Sequence, residues 1–261
     1  MTAIRRVLAP NPGPYTGPGT NSYVVEDGRT AVVIDPGPVI ATHLDAIVED
    51  LAGLEPRAVV VTHTHPDHAP GANPLGERLD VPVLGHSPGP MFIPDETLRD
   101  GDTVDAGTFS LVAVYTPGHA ADHLCYLVGS SLFTGDHIMG GSTVIIEDGA
   151  AYMRSLRRVL DLAPRRLYPG HGDEIPDAAA AVREYIDHRV ERELQVLRAV
   201  GGGAGTVSAI VDVVYAEVEP ALRAAATHQV VVQLKKLASE GRVRWRSGGA
   251  NETDVITLVE E

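Results

Sequence analysis

Short apolar runs and helical stripes alternate along the chain as far as Val200. Residues 30–34 (TAVVI) and 58–62 (AVVVT) are continuous runs of strand length, the pattern of strands buried on both faces. Between them Leu44, Ile47, Val48 and Leu51 fall at helical spacing, and Gly53 follows as a stop signal. Residues 81–84, 111–116, 124–128 and 131–134 read as further strands, the last two paired around Gly129. Tyr152, Leu156, Val159 and Leu160 predict a helix ending at Pro164, and residues 166–168 a short strand. A long helix is predicted over 177–200, with Val182, Ile186, Val190, Leu194 and Leu197 on one face. This alternation predicts an α/β layer architecture.

The style changes after residues 201–205 (GGGAG), the clearest linker in the chain. Thr206 can cap a short helix carrying Val207, Ile210, Val211 and Val214. A second helix carries Val230, Val231, Leu234 and Leu237 and ends near Gly241. Residues 242–246 and 255–259 then read as a hairpin around Ser247-Gly248-Gly249. Helices followed by a hairpin are the ingredients of a winged-helix module. The expected division is therefore 1–200 and 201–261.

Composition narrows the function classes. At 261 residues the core is sizeable, but aromatic residues are only 5%, so small and β-branched side chains must do most of the filling. The first 14 residues hold two arginines with no apolar stretch behind them, which is not the pattern of a secretory signal. No run approaches the roughly 18 apolar residues of a membrane span. A single cysteine, Cys125, permits no internal disulfide and suits a reducing compartment, so the expected location is cytoplasmic. The formal net charge of −14 argues against a general nucleic-acid binder. The tail from Gly201 onward holds six Lys/Arg against eight Asp/Glu, net −2. It reads as a packing or homodimer surface, with Lys235, Lys236, Arg242, Arg244 and Arg246 on a solvated face.

Candidate chemistry is concentrated in one turn. Residues 61–69 (VTHTHPDHA) place His63, His65, Asp67 and His68 directly after a predicted strand. His63 and His65 have period-two spacing, so in extended backbone both rings leave the same side. Crowding three imidazoles and a carboxylate together has no folding benefit, whereas neutral imidazoles and a carboxylate suit zinc. Four such groups are too many for one catalytic metal with an open position, and two metals share them better. Three later strand ends each deliver one more ligand through a Gly-containing turn: His119 in TPGH, Asp136 in TGDH and His171 in YPGHG. His86 and His137 are candidates for the substrate rim. His43, His123, His188 and His228 are assigned no role.

This set resembles the ligands of the metallo-β-lactamase superfamily. The resemblance implies a four-layer αββα sandwich with the site at one edge of two sheets. It implies that His63, His65 and His119 hold one metal, that Asp67, His68 and His171 hold a second, and that Asp136 bridges them. Asp35, in IDPG, matches the family's first motif, and its implied role is to orient ligands. Zinc is the expected metal, and manganese or iron fit the same ligands. The implied chemistry is hydrolysis by a metal-activated water, with Asp67 a candidate proton donor to the leaving group. Residues 11–25 (NPGPYTGPGTNSYVV), YPGHGDEI, DHRVERELQVL and QLKKLASEGRV resemble the beta-lactamase-like protein 2 branch, which carries a C-terminal winged-helix-like domain. That branch implies a single-stranded RNA substrate. Thioester, ester or lactone hydrolysis of the glyoxalase II type shares the metal set and is the alternative. A metal-containing regulator that binds nucleic acid through its tail is a third reading.

Overall fold

A computed structural model describes residues 2–140, 143–245 and 255–259. Its first sheet has the order β1 (Ala3–Leu8), β2 (Asn21–Glu26), β3 (Thr30–Ile34), β4 (Glu55–Val60), β5 (Val83–Gly85) and β6 (Glu96–Thr97). The second runs β11 (Arg166–Pro169), β10 (Ser131–Gly135), β9 (Leu124–Val128), β8 (Ser110–Tyr115) and β7 (Thr103–Asp105). Alternate residues of the strands supply two different cores. Val32, Ile34 and Val60 face Leu111, Tyr126 and Phe133 between the sheets. Their neighbours Val33 and Val59 pack outward on α1 (Ala41–Asp50) and α2 (Ala72–Leu79). On the far side Val114, Cys125 and Leu132 meet α3 (Gly149–Leu162) and α4 (Ala178–Gly201). The result is the αββα sandwich that the family resemblance implies, with both sheets buried on both faces.

Three of the scarce aromatic residues, Tyr23, Phe133 and Tyr168, cluster where the two sheets meet near the site. Phe133 lies 5.2 Å from Tyr23 and 5.1 Å from Tyr168 between ring centres. The Tyr23 hydroxyl donates to the Pro169 carbonyl at 2.7 Å, and Asn21 Nδ2 donates to the same carbonyl at 2.9 Å. Strand β2 is thereby pinned to the end of β11, immediately before His171.

The apolar stripe expected along α4 holds at Val182, is partly buried at Ile186 and Leu197, and fails at Val190 and Leu194. Val190 and Leu194 are 41% and 40% exposed, while Arg189 and Glu193 are buried. In the middle of the helix the buried face is set by polar partners. Arg189 lies over the Tyr152 ring, donates to Gln229 Oε1 at 3.2 Å and also donates to the Val144 carbonyl. Glu193 pairs with Lys236 at 2.8 Å. A buried charge is tolerated where hydrogen bonds and an opposite charge meet it, although Arg189 Nε is buried without a partner.

The tail holds α5 (Val207–Val214), a short 3-10 helix at Pro220–Leu222, α6 (Arg223–Ser239), and the antiparallel pair β12 (Val243–Trp245) and β13 (Ile256–Leu258). The Thr206 hydroxyl caps α5 by accepting from the Ala209 amide at 3.2 Å. The hairpin turn at Ser247-Gly248-Gly249 and Arg246 lie outside the described residues. The tail's core takes in the last turns of α4, through Val196, Ala199 and Val200. Lys236 points inward to Glu193, so it does not contribute to an outward basic face. None of the described helices is long and apolar enough to cross a membrane.

Candidate metal centre

Four strand ends meet at one edge of the sandwich. His63, His65, Asp67 and His68 follow β4, His119 follows β8, Asp136 follows β10 and His171 follows β11. Their ligating atoms fall into two sets, His63–His65–His119–Asp136 and Asp67–His68–Asp136–His171, each within 4.8 Å. Asp136 belongs to both. All seven residues singled out in the sequence are brought together, in groups that could each hold a metal ion.

The turns have to be glycine for backbones to come this close. A Cβ on Gly118, whose φ is +139°, would lie 2.4 Å from the Tyr152 Cα. One on Gly170 would lie 2.6 Å from His68 Cε1 and 2.8 Å from Asp136 Oδ1. Each glycine stands next to the ligand it delivers.

Hydrogen bonds on the outer ring nitrogens set which nitrogen faces inward. The Thr62 hydroxyl donates to Asp35 Oδ2 at 2.6 Å, so it accepts from His63 Nδ1 at 3.0 Å. His68 Nδ1 donates to Asp35 Oδ2 at 2.9 Å. His119 Nδ1 donates to the Ile145 carbonyl at 2.6 Å, and His171 Nδ1 to the Gly19 carbonyl at 3.1 Å. With those protons directed outward, the Nε2 atoms of His63, His68, His119 and His171 turn into the cluster. His63 Nε2 and His119 Nε2 each lie 3.0 Å from His65 Nδ1, and His68 Nε2 lies 3.3 Å from His171 Nε2. Imidazole nitrogens and carboxylate oxygens gathered this closely, with the outer ring nitrogens already engaged, form a donor set that fits two divalent metals. The carboxylates also draw positive charge inward. Burial alone would lower His171, but its hydrogen bonds to Asp136 and Asp67 outweigh this and push it up to about 9. Burial and the neighbouring imidazoles hold His63 well below its ordinary value.

Asp35 has the orienting position the resemblance implies. Besides His68 and the Thr62 hydroxyl, it accepts the Thr62 amide at 2.7 Å. It does so from the left-handed region, at φ 50°, which aspartate tolerates better than most side chains. The two rim candidates sit elsewhere. His86 Nδ1 donates to the Leu98 carbonyl at 3.0 Å and its ring packs on Tyr115; it does not line the cavity over the cluster. His137 is fully buried behind Asp136, packed on Tyr152, and burial pushes it down to about 3. Sequence reasoning missed several supports. His123 stacks on His63 at 5.0 Å, and His228 Nε2 donates to the Ile146 carbonyl at 3.1 Å. Thr62, within the VTHTHPDH run, was the one such support with a visible signal.

The chain belongs to the metallo-beta-lactamase superfamily, which its residues 15–171 match; residues 206–249 match the beta-lactamase associated winged helix domain. Within that class it is similar to a Beta-lactamase-like protein 2 homolog of Caenorhabditis elegans, 34% identical over 92% of this chain and 86% of the relative. It is also similar to an Atrochrysone carboxyl ACP thioesterase of Aspergillus chevalieri, 32% identical over 94% of this chain and 84% of the relative. A solved beta-lactamase domain protein from Burkholderia ambifaria shares the fold, with a TM-score of 0.83, 21% identity and coverage of 98% and 91%. Superfamily, cluster and relatives together define a metal-dependent hydrolase.

Proposed function

We propose that this chain hydrolyses thioesters at a dinuclear zinc centre, with His63, His65 and His119 on one metal, Asp67, His68 and His171 on the other, and Asp136 shared. Residues 1–200 form the catalytic unit in this reading and 201–261 the appended winged-helix-like unit. The observation that carries it is the pair of converging ligand sets opening onto a largely apolar cavity. Bound there, two divalent cations supply a water of lowered pKa and polarise the acyl carbonyl.

The chain's own residues do the rest. Asp35, Thr62 and the Ile145 and Gly19 carbonyls hold the imidazoles in the inward-facing tautomer. The reaction adds water across the C–S bond, giving a carboxylic acid and a thiol. A thiol leaves as thiolate near neutrality, so no strong proton donor is needed. Asp67 suits this, because its Oδ2 lies 3.1 Å from His171 Nε2 and its carboxyl is held below its ordinary value by His171 and His68 in spite of burial. Cleaving RNA would expel an alkoxide and would call for a basic groove along the strand. Among the described residues only two arginines line the cavity, and Arg189 is committed to Val144 and Gln229. The thioesterase name carried by the Aspergillus relative supports the same choice over RNA.

The test is a panel of thioester, lactone, β-lactam and single-stranded RNA substrates offered to zinc-loaded protein. Thioester turnover is expected, with a loss of at least a hundredfold in kcat for Asp67→Ala and His171→Ala. RNA cleavage that both substitutions abolish, with no thioester turnover, would reverse the assignment.

A further inference from the structure

The cavity over the cluster is not a property of the sandwich alone. It encloses about 600 Å³, the size that takes a drug-sized ligand rather than a two-carbon acyl group. His65, Asp67, His119 and Asp136 form its base. On the sandwich side Met139, Val144 and Ile145 supply an apolar wall. The opposite wall comes from the tail: Tyr215 at the end of α5, Val218 and Leu222 in the connection, and Ala225 and Ala226 on α6. Leu222 is 37% exposed, and Tyr15, from the Gly/Pro-rich loop, stands at the mouth 58% exposed.

This wall is held in place. The Arg192 guanidinium lies 4.8 Å from the Tyr215 ring centre and donates to the Val214 carbonyl at 3.3 Å. From α6, Gln229 donates to the Ile146 carbonyl at 3.1 Å, which ties the tail's wall to the sandwich's wall. Alanines at 225 and 226 leave the space between the walls open.

Resting on the thioesterase reading, we propose that the appended tail selects the substrate: its Tyr215, Val218, Leu222 and Ala225 form the binding wall for a bulky, aromatic acyl group. Biological thiol carriers present a polar amide arm, so an apolar wall beside the reacting carbonyl complements the acyl side of the bond. Two tyrosines at the walls give flat aromatic surface for a ring system.

The probes are the acetyl and 2-naphthoyl thioesters of N-acetylcysteamine, with wild type, Ala225→Phe and Leu222→Ala in their metal-loaded forms. Wild type is expected to favour naphthoyl over acetyl by at least tenfold in kcat/KM. Ala225→Phe, which fills the cavity from a half-buried position, should lower that ratio at least tenfold. Leu222→Ala should move it less, and both variants should keep the wild-type circular dichroism. An unchanged ratio in Ala225→Phe overturns the proposal, as does a preference that follows the thiol rather than the acyl group. Calorimetric titration with 2-naphthoate separates the two readings. Naphthoate binding that Ala225→Phe weakens, without thioester turnover in wild type, would remove the thioesterase reading and leave the wall standing. Equal binding to wild type and Ala225→Phe would remove the wall.

Discussion

Two buried side chains outside the ligand set carry predictions of their own. Cys125 is fully buried beneath α3, and burial pushes its thiol up to about 12. Relative to an ordinary cysteine this leaves roughly a thousandfold less thiolate, so a thiol reagent should label the folded protein at no more than about a hundredth of the rate in denaturant. The same inertness lets released substrate thiol be measured without interference. His43 is the second. Ser22 gives its proton to the Asp35 carbonyl and so accepts from His43 Nε2 at 2.8 Å, while His43 Nδ1 is buried without a partner. A second proton there would have no acceptor, and burial lowers the His43 pKa. The unfolded chain therefore binds more protons than the folded one below about pH 6.5, so this contribution to stability is present above that value and is lost as the pH falls. Urea unfolding of His43→Gln should show a shallower loss of stability between pH 7 and 5 than wild type. An equally steep loss would assign acid sensitivity to other groups.

The segment between His137 and α3 shows how one element can govern another. Three successive carbonyls are taken by three different partners: Val144 by Arg189, Ile145 by His119, and Ile146 by both Gln229 and His228. Helices α4 and α6 thus hold the acceptor that orients a metal ligand. Gln229→Leu is expected to weaken retention of one metal equivalent about 10- to 100-fold, the usual effect of disturbing a ligand's outer hydrogen bond. Competition with a chromogenic chelator measures it, and undiminished retention would confine Gln229 to packing. Helix α2 is instructive in another way. Its sequence, ANPLGERL, carries Pro74 and Gly76 and gives little helical signal. The glycine is needed because a Cβ there would lie 2.3 Å from Val83 Cγ2. Packing on the sheet, through Ala72 and Leu75, overrides a poor local propensity.

Across the fold, the site joins two sheets and borrows a wall from the tail. Metal binding should therefore stabilise the structure as a unit, since the unfolded chain has no such cluster. Stripping the protein with a chelator is expected to lower Tm by roughly 10 °C, and adding back zinc should restore it. A Tm indifferent to both treatments would mean the cluster does not hold metal.

Much of this was legible in the chain. His63, His65, Asp67 and His68 are neighbours in sequence, and His119, Asp136 and His171 each follow an apolar run that ends in a glycine turn. Side-chain type and local period carry that information, so the strands and the seven residues that cluster at their ends could be anticipated. The orienting carbonyls of Gly19 and Ile145 could not, because every residue has a carbonyl and only folding aims one at an imidazole. Nor could the middle of the buried face of α4, where Arg189 and Glu193 turn inward in place of Val190 and Leu194 once Val144, Gln229 and Lys236 stand opposite them. The cavity depended most on folding. Tyr15, Val144 and Tyr215 are far apart in the chain, and nothing local marks them as one surface. Local pattern therefore determined the chemistry, and the packing of the tail against the sandwich decided the shape of the space in which that chemistry takes place.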